Sequence, residues 1–122
     1  MKKTLTKTYD LLYQLGLTAN YTGFFYTAYA VYLSIENPER LLSVIKWLYP
    51  EVAKQYNTSW QAVERNIRTA GNVIWQENRP LLKHLARRPL TQKPKNAQLL
   101  AILASSVDMS SFMKYRQSRN SH

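Results

Sequence analysis

The chain has 122 residues, no cysteine, and 17 Lys and Arg against 7 Asp and Glu, a formal charge of +10 with a pI near 10.0. That length is one domain, able to bury roughly two thirds of its extended-state surface without a disulfide or metal staple. Lack of cysteine excludes disulfides, thiolate zinc sites and cysteine nucleophiles, and the charge points to polyanions, meaning DNA, RNA or acidic lipid. The opening MKKTLTKTYDLLYQLG lacks the apolar core of a signal peptide, and no apolar run is long enough for a bilayer. The expectation is a soluble, cytoplasmic protein with no membrane partner.

Helical periodicity runs through the chain and no alternating strand pattern interrupts it, so the expected fold is all-α, a bundle of about six helices. Leu5, Tyr9, Leu12 and Leu15 form a first apolar stripe, and Gly16 is placed to end that helix. In NYTGFFYTAYAVYLSIE, Phe24, Ala28, Val31 and Ile35 share a face, with Phe25, Tyr29 and Tyr32 beside it. At helical spacing these tyrosines read as core with hydroxyls at the rim, in preference to a base-stacking surface. ENPERLLSVIKWLY restarts a helix, with Asn37 as N-cap, Pro38 at the first position and Glu39 at the positive end. Leu41, Leu42, Ile45 and Leu48 are its expected inward stripe. Pro50 opens a short helix, PEVAKQY, with Val52, Ala53 and Tyr56 inward.

NTS is a turn, and Thr58 followed by Gln61 has the spacing of a capping box. The next helix is expected to run to about Gln76. Beyond it, ENRPLLKHLARRPLTQKPKN is broken by Pro80, Pro89 and Pro94, and AQLLAILASSV forms a last helix. Residues 1–108 then make one domain, and residues 109–122 a basic tail expected to fray.

In residues 57–76, NTSWQAVERNIRTAGNVIWQ, the 100° advance per residue puts Val63, Ile67, Ala70 and Ile74 on one arc. Gln61, Arg65, Arg68 and Asn72 fall on the opposite arc, flanked by Glu64 and Thr69. The apolar arc anchors the helix, so the polar row faces outward. A short helix and a tight polar turn precede it, which is the helix-turn-helix arrangement. Arg can donate two parallel bonds to guanine, and Gln or Asn can pair with adenine. Glu64 has two readings: it can accept from cytosine N4, or it can pair with Arg68 one turn away.

The block LYPEVAKQYNTSWQAVERNIR resembles the helix-turn-helix of the C-terminal effector domain of the stage-zero sporulation protein A family, which reads LYPDIAKKFNTT and VERAIR here. The likeness extends over roughly residues 5–103, through Leu15–Gly16, Gly23, Leu41–Leu42, Trp75 and KPKN at residues 93–96. It implies an all-helical DNA-binding domain that reads short TGTCGAA-like boxes, often as tandem copies bound by two domains, in the bacterial cytoplasm at the nucleoid. It also gives Glu64, Arg65 and Arg68 the family's base or phosphate contacts. Three departures bear on the box that is read. Ala62 stands where the family commonly has Arg, Thr69 where it has His, and NYTG replaces HIKG, so Thr22 stands in place of Lys. In the family the segment after the recognition helix helps contact RNA polymerase. Here it is shorter and more basic, so repression by occupancy is as consistent with it as activation. No receiver domain is read in this sequence: its aspartates, Asp10 and Asp108, make no magnesium-holding pair. Either a receiver lies outside this sequence or the chain is a single-domain relative, and the native-looking start leans to the second.

From Arg79 onward nine basic residues face one acid, Asp108. Most of the positive charge therefore lies outside the reading helix and reads as a phosphate clamp. Its members are Arg79, Lys83, Arg87, Arg88, Lys93 and Lys95, with Lys114, Arg116 and Arg119 in the tail, and Thr58, Ser59 and Thr69 as further phosphate ligands. His84 reads as a partly buried surface histidine. With His122 it is too far apart in sequence for a metal site, and no cofactor is expected. No nucleophile–base set, paired carboxylates or glycine-rich phosphate loop points to an enzyme. The leading expectation is sequence-specific binding of double-stranded DNA, with Gln61, Glu64, Arg65, Arg68 and Asn72 toward bases. Two other readings stand beside it. One is an interaction protein pairing with a full-length relative through Trp47, Trp60 and Tyr115. The other is a non-specific binder of RNA or anionic membrane.

Overall fold

Gly16 sets the first corner of the fold. Helix α1 (Lys2–Gln14) stops there because Gly16 takes φ +89°, and the Leu17 amide donates to Leu12 O at 2.9 Å across the helix end. The computed structural model describes residues 1–109, and among these the chain is helical with no strand, as the periodicity requires. Helix α2 (Thr22–Glu36) is the central element, packed against α1, α4 and α5. Its buried positions include Phe24, Ala28, Ala30 and Val31. At Gly23 it touches α4 so closely that a Cβ would lie 2.2 Å from the Asn66 carbonyl oxygen. The tyrosines behave as core and rim. Tyr26 is buried, Tyr29 and Tyr32 are half-buried, and the Tyr32 hydroxyl donates to Glu36 Oε1 at 2.8 Å.

The connector after α2 departs from the expected helix. Asn37 does cap it, accepting from the Glu39 amide at 3.1 Å. It then forms a 3₁₀ turn (Pro38–Leu42), breaks at Ser43 (φ −150°, ψ 87°) and continues as one π turn (Val44–Leu48). Neither turn has 3.6 residues per revolution, so the inward stripe fails. Leu48 is buried and Leu41 half-buried, but Leu42 and Ile45 are 60% and 51% exposed. Arg40 closes the end of α2 by donating to Leu33 O at 2.7 Å.

Helix α3 (Tyr49–Gln55) has Pro50 in its first turn and buries Val52 and Ala53. Tyr56 is less inward than its spacing suggests: it is exposed at the rim, packed against Tyr26 with ring centroids 5.1 Å apart. Asn57 takes the left-handed φ of +52°, and the Thr58 amide donates to Ala53 O at 2.9 Å. Ser59, rather than Thr58, is the N-cap of the next helix and accepts from the Ala62 amide at 3.1 Å.

Helix α4 (Trp60–Ala86) is longer than expected, because Pro80 restarts it instead of ending it. Asn78 (φ −151°, ψ 59°) is the kink. Its Oδ1 accepts from the Leu81 amide at 3.3 Å, the role of an N-cap, and Pro80 then occupies a first-turn position where a missing N–H costs little. Its Nδ2 donates to Gln14 O at 2.8 Å, satisfying a carbonyl at the end of α1. Arg87, at φ +59°, closes the helix. His84 is exposed, not partly buried. Helix α5 (Asn96–Val107) buries Leu99, Leu100, Ile102, Leu103 and Ala104. Residues 110–122, and with them most of the basic tail, lie outside the described residues. No described helix is long and apolar enough to cross a membrane.

Gly23→Ala should lower stability by about 1–3 kcal/mol, because the new methyl must push two helix backbones apart. Urea unfolding of both proteins measures this, and an unchanged midpoint would contradict the close approach.

Candidate nucleic-acid interface

The apolar arc of α4 is fully used: Val63, Ile67, Ala70 and Ile74 are each 0% exposed. Gln61, Arg65, Arg68 and Asn72 are all exposed on the other side. The rigid back therefore presents the row to solvent, as the angular arithmetic requires. Arg68 and Glu64 form an ion pair at 2.6 Å. At this exposure the pair contributes about 0.3–0.5 kcal/mol, so its main effect is to hold the Arg68 guanidinium in one place. Among the described residues the Arg65 side chain has no hydrogen-bond or ion-pair partner. Its backbone carbonyl accepts from the Thr69 hydroxyl at 3.1 Å, which turns Thr69 toward its own helix.

A loop that is distant in sequence is docked beside this row. Lys93 Nζ donates to Asn72 Oδ1. Pro94 is buried. Asn96 Nδ2 donates both to Glu64 O at 3.1 Å and to the Tyr49 hydroxyl at 3.2 Å, tying together α5, α4 and α3. Burial pushes the Tyr49 phenol up from its ordinary pKa, so it stays protonated at neutral pH. A groove of about 370 Å³ lies here, and Val44, Ile45, Tyr49, Arg68, Lys93 and Lys95 are among the residues that line it. The positioning role of Asn96 was not expected from sequence. The only signal for it was the KPKN match itself.

The remaining cations are spread out. Arg79 stacks on Trp75, its guanidinium carbon 4.3 Å from the ring centroid, and its Nε donates to Trp75 O at 3.2 Å. Lys83 Nζ is 5.7 Å from the same ring. Arg88 shares a shallow cleft with Lys93 and Pro94. Arg87 is drawn the other way, with Nη1 3.9 Å from Met109 Sδ at the end of α5. Thr58 is half-buried and Ser59 exposed at the start of α4. Lys114, Tyr115, Arg116, Arg119 and His122 lie outside the described residues. Trp47 is 45% exposed, whereas Trp60 packs against the core. Among the described residues no three His, Asp or Glu side chains gather as a metal site.

Residues 8–107 match the protein-family model described as "Sporulation initiation factor Spo0A C terminal". The chain belongs to this family. The Spo0A C-terminal family is a DNA-binding effector domain and not an enzyme family, so double-stranded DNA is the partner at family level. The match runs from the middle of α1 through the row on α4 to the end of α5.

Within this Spo0A C-terminal fold, Asn96→Ala removes two bonds at once, one from the Glu64 carbonyl and one from the Tyr49 hydroxyl. It should cost about 1–3 kcal/mol. Faster hydrogen exchange at residues 93–98 should accompany the loss, and unchanged exchange there would show that the loop is held by something else.

Proposed function

We propose that this protein is a sequence-specific, double-stranded DNA-binding transcriptional regulator that lays the first part of α4 in the major groove. The supporting observation is the exposed row on an anchored helix with the Lys93–Asn96 loop docked beside it. An α-helix fits the major groove, and the docked loop sets cations at its flank without taking part in the row. Arg65, whose side chain is unengaged, is the strongest base reader. Arg68 reads from the position Glu64 gives it, and Gln61 reads at the N-terminal end. Asn72 is steadied by Lys93, and Glu64 can accept from a cytosine amine on the open side of its ion pair.

Ser59 and Thr58 at the positive end of α4, together with Lys93 and Lys95, are the inner phosphate ligands. Arg79, Lys83 and Arg88 extend the clamp, and Thr69 joins it by turning its hydroxyl outward. Two copies on adjacent boxes fit this reading, in the bacterial cytoplasm at the nucleoid. The sense we propose is repression by occupancy, because the segment between Arg79 and Lys95 has become a cationic surface suited to phosphate. Exposed Leu42, Ile45 and Trp47 favour one second reading, in which the domain pairs with a relative. A stable complex in the absence of DNA would distinguish it.

The test begins with selection of bound duplexes from a random pool. Arg65→Ala should weaken binding to the selected duplex by about 10- to 100-fold, corresponding to about 1–3 kcal/mol, and leave scrambled duplexes nearly unaffected. Equal loss on both would remove base reading from Arg65. Affinity should also fall steeply with salt, log K against log concentration having a slope of about −0.9 per phosphate neutralised. A flat response would remove the clamp.

A further inference from the structure

We propose that the groove formed by the π turn, the first part of α4 and the Lys93–Asn96 loop is a binding site for a small organic anion with an apolar body. Its volume of about 370 Å³ falls at the lower end of the range of about 300–1,000 Å³ usual for small-ligand sites. The π turn leaves Val44 half-buried and Ile45 51% exposed, so apolar surface lines the groove. Asn96 ties the loop to α4 and α3 through Glu64 O and the Tyr49 hydroxyl, so the walls are held together without a ligand.

Two observations define the occupant. The first is a donor without an acceptor. Tyr49 lines the groove and is 1% exposed. Its hydroxyl accepts from Asn96 Nδ2 at 3.2 Å, and among the described residues nothing accepts its own O–H. A buried donor left unpaired is costly, and an oxygen of a bound anion removes that cost. Burial raises the phenol's pKa, so it remains a donor at neutral pH. The second observation is charge. Arg68, Lys93 and Lys95 line the groove with one carboxylate, Glu64, which Arg68 already engages at 2.6 Å. Lys93 is bonded to the neutral Asn72, and Lys95 has no ion pair among the described residues. Asp108 lies beyond the far end of α5, roughly 20 Å from Lys95 at 1.5 Å per residue. Two cations therefore lack a counter-charge. A bare phosphate would answer them but leave Val44 and Ile45 uncovered, and a second copy of this chain brings +10. An anionic head on an apolar body meets both needs. The site itself stands apart from the DNA reading. Its consequence rests on that reading: Arg68, Lys93 and Lys95 cannot serve the anion and a duplex together, so the anion releases DNA.

The experiment titrates the full chain with anilinonaphthalene sulfonate and with its uncharged parent, phenylnaphthylamine, followed by fluorescence and amide shifts. The sulfonate should saturate and bind at least about tenfold tighter than the parent, a difference of about 1.4 kcal/mol. Shifts should fall on residues 44–49 and 93–97. Tyr49→Phe should weaken the sulfonate by about tenfold or more, through loss of a hydrogen bond to a charged group. Ile45→Asn, at an exposed position where folding is not at stake, should weaken it by about threefold or more and leave duplex binding unchanged. The site is overturned by any of four results: no saturation, equal affinity for the two compounds, undiminished binding by Ile45→Asn, or shifts spread over residues 79–88, which mark attraction to charge alone. A selected duplex should displace the sulfonate, and the two bound together would overturn the release of DNA. If no duplex is selected, the DNA reading fails, while the titration, which contains no DNA, still decides the site.

Discussion

Helix α2 can lie against the backbone of α4 only because residue 23 has no side chain. With a methyl there, carbon would meet the Asn66 carbonyl oxygen at 2.2 Å. The approach sets the distance between the two helices, and the buried arc of Val63, Ile67, Ala70 and Ile74 sets the rotation of α4 about its own axis. A helix held at a fixed depth and rotation has one outward face, and here that face carries two arginines, a glutamine and an asparagine. The direction of the row is therefore a consequence of core packing, and the row itself adds little to stability.

The polar face is then ordered by weak links acting together. The Glu64–Arg68 pair is worth little in energy at its exposure, yet it limits where a flexible arginine can go. Lys93 on Asn72 and Asn96 on the Glu64 carbonyl do the same from another part of the chain. Side chains ordered in advance lose less entropy when they make a contact, which is the usual benefit of preorganisation. Arg65 stands outside this web, its side chain without a hydrogen-bond or ion-pair partner among the described residues.

The sequence made the helices, the outward row and the family legible, because each rests on a 3.6-residue period or on a contiguous block of residues. The connector at Pro38–Leu48 escapes this logic: its turns have other periods, so the 100° spacing that points Leu42 and Ile45 inward does not hold there, and both are exposed. Pro80 is a breaker by its residue type alone and an initiator here because Asn78, two residues earlier, caps the restarted helix and is also bonded to Gln14 at the end of α1. The cap moved from Thr58 to Ser59 because Asn57 takes a left-handed conformation that delays the helix by one residue. Asn96 was invisible as a positioning residue, since its partners lie 32 and 47 positions away.

The kink at Asn78 has an effect on how the domain can change. In a continuous α-helix, removing one residue rotates everything beyond it by about 100° relative to what precedes. Asn78 starts a fresh helix with its own cap, and its amide is moored to α1, so the helical phase begins anew at that point. Insertions or deletions after it can lengthen, shorten or recharge the following segment without turning the face that precedes it. The two stretches of α4 thus behave as separately adjustable parts, one held by the core and the other free to acquire new surroundings.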